Sequence, residues 1–143
     1  MSEAANYLEN LIAQKLFNGV DFTINNFYGG LAVIPPADVA TLEDKTDSEY
    51  YGYEITSVSH AGYNDRFEIT WNVTDNIVTN SNTETWTVTS DWPTVPNYIL
   101  VFDNTNLNNG NLIFYAPIPG LPGTITTDDI IRLKPNRFTI TID

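Results

Sequence analysis

Hydrophobic and polar residues alternate along much of the chain, with the period of two that is typical of β-strands with one buried face. The alternation is clearest over residues 67–73, FEITWNV, and 83–89, TETWTVT. The run 98–102, YILVF, is apolar at every position and favours a strand that is covered on both faces. Asn109-Gly110 then predicts a hairpin turn, because Asn and Gly accept positive φ angles. The densest apolar part of the chain is therefore a set of antiparallel strands.

Shorter apolar runs predict further strands over 31–34, 53–59, 77–78, 112–116, 130–133 and 138–142. We interpret residues 25–30 as a turn and the polar segment 35–48 as a surface loop, since both are rich in turn-forming residues. Roughly eight short strands at this spacing predict a mainly β fold, an antiparallel β-sandwich of jelly-roll type. The length of 143 residues favours one domain, 1–143. The expected core consists of Phe67, Ile69, Trp71, Trp86, Val88, Leu100, Phe102, Ile113, Phe114, Ile140 and Ile142.

Residues 3–18 are expected to form the one substantial helix, at the N-terminal end of the sandwich. Its apolar stripe at helical spacing consists of Leu8, Leu11, Ile12 and Leu16. Ser2 is the expected N-cap, and Gly19 is expected to end the helix in a left-handed conformation. A helix this short is marginal by itself, so we expect the stripe to pack against the sheet.

The charge balance narrows the possible partners. The formal net charge is −12, from 18 acidic and 6 basic residues, so the surface repels phosphate backbones and a nucleic-acid partner is not expected. No apolar run is long enough to span a bilayer, so no membrane partner is expected either. The first residues, MSEAAN, are acidic and lack the basic region of a signal peptide, which predicts that the protein begins in the cytoplasm of the cell that makes it.

Candidate catalytic and metal-binding residues are few. His60 is the only histidine, there is no cysteine, and His60 has no nucleophile motif beside it, so we interpret it as a surface residue. Residues 103–111 have the composition of a calcium loop without its spacing, and we interpret them as a polar hairpin loop. Asp128 and Asp129 are interpreted as a solvated turn. We therefore expect no catalytic site, no metal and no cofactor.

Aromatic residues outside the predicted core offer a candidate interaction surface. Tyr50, Tyr51 and Tyr53 lie close together in the sequence, and Trp92 stands in an Asp-Trp-Pro corner. Exposed aromatic side chains are typical of protein interfaces and of surfaces that stack on sugars. These four residues are the predicted interface.

Several segments, taken in order, resemble a family of small tailed-phage virion structural proteins, described as tail-fibre-like or capsid-decoration proteins. The similar segments are ANYLENLI (5–12), LAVI (31–34), GYNDRFEITW (62–71), SDWPTVPNYILVFD (90–103), GNLIFYA (110–116) and FTITID (138–143). Members of the family tend to have Gly after the Asp-Trp pair, where this chain has Pro93.

The resemblance implies a virion building block without enzymatic activity. Because the chain is compact, acidic and without coiled-coil heptads, we expect a capsid decoration (cement) protein on the outside of the head. Its expected partners are the major capsid protein and neighbouring copies of itself in a homo-oligomer. One alternative is a component of the tail or of the tail-fibre attachment. The second alternative is a carbohydrate-binding module for host attachment.

Overall fold

The structure is a computed structural model that describes residues 3–118 and 120–141. The strands are β1 (Glu3–Ala4), β2 (Phe27–Ala32), β3 (Phe67–Ile69), β4 (Trp71–Thr74), β5 (Ile77–Asn80), β6 (Glu84–Thr87), β7 (Tyr98–Phe102), β8 (Leu112–Pro117), β9 (Ile130–Leu133) and β10 (Thr139–Thr141). The helices are α1 (Asn6–Asn18), α2 (Pro36–Val39) and α3 (Asp47–Tyr53), with a 3-10 turn at Leu42–Asp44.

The strands pair antiparallel in three sheets. The largest has the order β1-β8-β7-β2-β3, the second β10-β5-β4, and the third pairs β6 with β9. Strands β7 and β8 form the predicted hairpin, in which Tyr98 lies opposite Pro117 and Phe102 opposite Leu112. The predicted fold class, mainly antiparallel β with an N-terminal helix, is confirmed.

The five-stranded sheet is covered on both faces, as the wholly apolar run 98–102 predicted. Ile99 and Val101 face the larger core, which the two smaller sheets cover through residues such as Trp86. Leu100 and Phe102 face a second core beneath the 3-10 turn and α3. Strand β7 therefore contributes to both cores, because its side chains alternate between the two faces of the sheet.

Most of the predicted core is confirmed. The buried members are Phe67, Ile69, Trp86, Val88, Leu100, Phe102, Ile113 and Phe114. Trp71 and Ile140 are partly buried and pack against the larger core. Ile142 lies outside the described residues. Val73, expected on the same face as Trp71, is 69% exposed, because β4 and β5 form a hairpin whose far end reaches into solvent.

The helix differs from its prediction at both ends. Glu3 and Ala4 form a strand against β8, so α1 begins at Asn6, and the predicted N-cap Ser2 lies outside the described residues. Gly19 ends the helix with a φ of 67°, as expected. The predicted stripe packs only at its start, where Leu8 is partly buried against the larger core. Ile12 and Leu16 were expected in the interior but are 43% and 71% exposed.

Three further corrections concern segments 25–59. Residues 27–30 of the predicted turn 25–30 are instead the first four residues of β2, a strand between β7 and β3 in the sheet. The predicted loop 35–48 contains α2 and the 3-10 turn, whose Leu42 is buried. The predicted strand 53–59 is wrong, because Tyr53 ends α3, Glu54 makes only a single bridge to Ala32, and residues 57–59 form a turn. A capping box explains the start of α3, since the backbone N–H of Thr46 donates to Glu49 Oε2 at 2.7 Å.

Candidate functional site

The first candidate surface is an apolar projection at the end of α1. We call it the apolar knob, and it consists of Ile12, Leu16, Phe17, Val20 and Phe22. Phe17 is 84% exposed and Leu16 is 71% exposed. Val20 donates its backbone N–H to the carbonyl of Gln14 at 3.2 Å, which folds the chain back over the end of the helix. Exposed apolar side chains this close together in the chain are a candidate interaction surface.

Two carboxylates and one cation lie near the apolar knob. Asp21, just beyond the end of α1, forms an ion pair with Lys15, whereas Glu9 lies exposed on α1 one turn before Ile12. At the start of the helix, Asn6 Nδ2 donates to the carbonyl of Glu43 at 2.8 Å, and Glu9 and Glu43 line one shallow hollow there. A partner that covers the knob therefore meets the Glu9 carboxylate at its edge.

The second candidate surface is an apolar groove with a basic rim. Its cavity measures about 450 Å³. Its floor includes the buried side chains of Leu31, Trp86, Ile99 and Phe138. Its rim carries the exposed side chains of Arg132, Lys134 and Arg137, and we call the whole the basic groove. Apolar walls with a few polar groups are typical of binding pockets.

The rim cations differ from the other cations of the chain in their ion pairing within residues 3–118 and 120–141. Of the six Lys and Arg residues, the other three form ion pairs: Lys15 with Asp21, Lys45 with Asp38 and Glu49, and Arg66 with Glu54. Among the described residues, no ion pair involves Arg132, Lys134 or Arg137. The basic groove is thus a cationic surface on an acidic protein.

The side chain of Asn80 holds the turn that carries Lys134 and Arg137 of the rim of the basic groove. Its side chain is fully buried, and its Oδ1 accepts the backbone N–H groups of Arg137 at 3.0 Å and Phe138 at 2.9 Å. Its Nδ2 donates to the carbonyl of Lys134 at 2.9 Å. The Asn136 N–H donates to the carbonyl of Asn80 at 2.8 Å. The turn that carries two of the cations is therefore positioned by the fold itself.

Arg66 and Glu54 form a buried ion pair on the side of the large sheet that faces the second core. Arg66 Nη1 donates to the carbonyls of Asn104 and Asn109, each at 2.7 Å, and its guanidinium lies 3.7 Å from the centre of the Phe102 ring. Burial raises the pKa of its partner Glu54, and Arg66 opposes that rise. Arg66 thereby holds the loop between β7 and β8 in place.

The loop at 103–111 is the polar hairpin loop that was predicted. Asp103 Oδ1 accepts the N–H of Asn111 at 2.7 Å, and its Oδ2 accepts from Asn111 Nδ2 at 2.8 Å. These bonds engage the carboxylate that a calcium ion would need. In residues 3–118 and 120–141, no group of three or more His, Cys, Asp or Glu side chains is placed to hold a metal ion.

The four predicted interface residues do not form one surface. Tyr50 is buried and donates its hydroxyl to the carbonyl of Leu42. Trp92 is 6% exposed, and its Nε1 donates to the carbonyl of Ala61 at 2.9 Å. Neither ring presents a face to a partner in this structure, and stacking on a sugar requires an exposed face.

The other two predicted interface residues keep some exposure. Tyr51 donates its hydroxyl to the carbonyl of Gly110, and Tyr53 donates to Asp38 Oδ2 at 2.8 Å. Both side chains are partly buried on α3. An interface role for these tyrosines stays a prediction.

His60 was expected at the surface and is buried instead, with 4% of it exposed. Its ring lies edge-on to Trp92, with 5.0 Å between the ring centres, and its Nε2 lies 3.2 Å from the carbonyl oxygen of Thr94. Burial lowers the pKa of His60. The ring therefore favours the neutral form and serves as part of the packing beneath the Asp-Trp-Pro corner.

Asp128 and Asp129 lie in a turn, as predicted. Asp129 Oδ2 accepts the backbone N–H of Thr126 at 2.8 Å, and Asp128 has a φ of 71°. The neighbouring Asp91 Oδ1 accepts the N–H of Thr127 at 2.9 Å, which lowers the pKa of Asp91. These carboxylates shape the turn between the Trp92 corner and β9.

Comparison with known proteins connects the fold to a family. A family model described as podophage GP4 fiber I protein gp80 matches residues 3–141. The chain belongs to this family. Membership in the family confirms the resemblance to tailed-phage virion structural proteins, and the role of the chain is accordingly that of a virion structural protein. A search among curated proteins finds no match. Within the described part of the chain, no helix is long and apolar enough to cross a membrane.

Sequence reasoning missed both candidate surfaces, although each left a signal. The segment IRLKPNR, 131–137, places three of the six cations within a few positions. Two residues of the apolar knob, Ile12 and Leu16, were assigned to the stripe that packs on the sheet, because spacing alone does not distinguish a buried stripe from an exposed one. The basic groove also depends on β6, β9 and Asn80, which meet only in the folded chain.

Proposed function

We propose that this chain is a non-enzymatic structural subunit on the outside of a tailed-phage virion, which acts by binding other virion subunits. The observation that carries the proposal is the apolar knob, where Leu16 and Phe17 are more than two-thirds exposed on a helix whose start is packed on the sheet. Exposed apolar groups of this kind suit an assembly surface. Family membership supports the same role.

For the position on the virion, we propose decoration of the head, with the major capsid protein and further copies of the chain as partners. The net charge of −12 supports an exterior site away from packaged DNA. The short strands and the sequence without heptads support a subunit that caps a surface. Weak contacts suffice there, because capsid symmetry repeats each one many times.

The second candidate position is a fibre or its attachment to the tail. The observation that favours it is the description of the family, which names a fiber protein of a podophage. In this position the chain would contact other fibre subunits or tail proteins, and the apolar knob would serve the same purpose of binding a neighbour.

The experiment that tests the proposal is cryo-electron microscopy of purified virions, with copy number measured by quantitative gel analysis. Hundreds of copies on the head support decoration, and a small number at the tail supports the fibre position. Virions that lack the chain would overturn the structural role. Turnover of a glycan or peptide by the pure protein, abolished by a single carboxylate substitution, would overturn the non-enzymatic role.

A further inference from the structure

We propose that the apolar knob of one copy of this chain inserts into the basic groove of a second copy. One contact between two copies would cover both the exposed apolar knob and the open basic groove. It deepens the proposed binding of further copies, and it holds for either position on the virion.

The dimensions of the two surfaces agree. An apolar cavity of roughly 150 Å³ accommodates a benzene ring. The basic groove, at about 450 Å³, therefore has room for the Phe17 ring together with the Leu16 side chain. Its floor is formed by aliphatic and aromatic side chains, so inserting the knob removes apolar surface of both copies from water.

The charges favour an acidic occupant, and a second copy of this chain is acidic, with a net charge of −12. The rim cations Arg132, Lys134 and Arg137 have no ion pair among the described residues, whereas every other cation of the chain has one. The rest of the chain is strongly acidic, with 18 carboxylate side chains in all. Glu9 lies exposed on α1 one turn before Ile12, where it would meet the rim of the groove, whereas Asp21 is already paired with Lys15. Complementary charge of this kind orients an encounter and excludes partners of the wrong sign.

The contact joins two different surfaces. The knob and the groove share no residue, so each copy offers one knob and one groove to its neighbours. Such a heterologous contact closes into a ring or extends into a filament, depending on the rotation that it imposes. A ring suits a cluster of decoration subunits, and a filament suits a fibre.

The test uses two variants of the full chain, each designed to remove one surface. The knob variant carries Leu16→Asp and Phe17→Asp, at positions 71% and 84% exposed. The groove variant carries Arg132→Glu and Lys134→Glu, whose side chains are also exposed. Val58→Asp serves as the matched control, because Val58 is 95% exposed and lies in neither surface. Circular dichroism and thermal melting verify that each variant is folded.

Sedimentation velocity over a concentration series supplies the readout. The wild type and Val58→Asp are expected to self-associate, and each surface variant is expected to do so at least about 30-fold more weakly, as for loss of a hot spot. A mixture of the two variants is expected to form a heterodimer and nothing larger, because one intact knob and one intact groove remain. Higher salt is expected to weaken the wild-type assembly.

Three results would overturn the inference. The first is a wild type that stays monomeric at every concentration. The second is a groove variant that assembles as well as the wild type, which would indicate a contact between two helices instead. The third is a mixture of the two variants that stays monomeric. None of these results bears on whether the chain is present on the virion, so the proposed function is tested separately.

Discussion

Arg66 and Glu54 form a two-point ion pair in the interior of the protein. Arg66 Nε lies 2.8 Å from Glu54 Oε1, and Arg66 Nη2 lies 3.0 Å from Glu54 Oε2. The exposed fractions of the two side chains are 0% and 2%. Gly30 makes the arrangement possible, because a Cβ at that position would collide with the Glu54 carboxylate. The pair therefore connects β2, the end of α3 and the loop that follows β7.

Removing one member of this pair is expected to destabilise the protein strongly. Arg66→Met leaves the Glu54 carboxylate buried without a cation and frees the carbonyls of Asn104 and Asn109. Breaking a buried pair in this way costs about 3–5 kcal/mol. Urea denaturation of wild type and variant measures the difference. Asp65→Asn, at an exposed neighbour, is the control, and an Arg66→Met variant as stable as that control would contradict the assignment.

Two glycines provide a matched test of backbone geometry. Gly62 has a φ of 94°, and a Cβ there would collide with the carbonyl of Thr87, so Gly62→Ala is expected to destabilise by more than about 1 kcal/mol. Gly52 lies within α3 with open space around it, so Gly52→Ala is expected to leave stability unchanged or raise it by up to about 1 kcal/mol. Equal effects of the two substitutions in thermal melts would contradict this geometry.

Trp86 is expected to be a main contributor to the larger core. It is 4% exposed, and its ring centre lies 5.0 Å from that of Phe67 in an edge-to-face contact. Trp86→Ala should cost about 3–5 kcal/mol in unfolding free energy. Thr85→Ala, on the exposed side of the same strand, should stay within about 0.5 kcal/mol of the wild type. A loss of less than about 0.5 kcal/mol for Trp86→Ala would place the ring outside the core.

His60 is expected to make the protein sensitive to mild acid. Burial lowers the pKa of His60 in the folded state, so the unfolded chain takes up this proton first. The stability linked to His60 is therefore complete above about pH 6.5 and is lost as the pH falls towards the lower folded pKa. His60→Gln should flatten the fall in melting temperature between about pH 7 and 5.5.

Two exposed carboxylates, Glu49 and Asp91, lose their linked stability at a lower pH than His60 does. Bonds from the Thr46 and Thr127 backbone N–H groups lower the pKa values of Glu49 and Asp91 from ordinary values of 4.5 and 3.8. The stability linked to these carboxylates is lost only as the pH falls through still lower values. Identical pH profiles for the wild type and His60→Gln above about pH 5.5 would contradict the assignment of the buried ring.

The strand pattern was predictable because burial follows the period of two. Residues 98–102, 112–116 and 130–133 were placed within a residue of their observed bounds. Gly29 and Gly30 were assigned to a turn, although they lie in β2 between two other strands. Tertiary contacts explain why glycine lies in this strand. Gly29 leaves space for the Phe67 ring and Gly30 leaves space for Glu54, and neither neighbour is adjacent in the sequence.

The start of helix α3 carries a sequence signal for a helix that the prediction did not use. Thr46 and Glu49 have the spacing of a capping box, but residues 35–48 were assigned to a loop, and the three tyrosines and Gly52 that follow are poor helix formers. The candidate surfaces were harder to predict. Exposure of the apolar knob depends on where α1 leaves the sheet, and the basic groove depends on how two small sheets meet the large one.

A structural subunit on the outside of the virion must be present and accessible on intact particles. Immunogold electron microscopy of intact, purified virions with antibodies against the chain measures this. We expect regular labelling of intact particles, on the head for a decoration protein or at the tail for a fibre component. Virions that contain the major capsid protein but carry no label, and no chain detectable by mass spectrometry, would show that the chain is not an outer subunit of the virion.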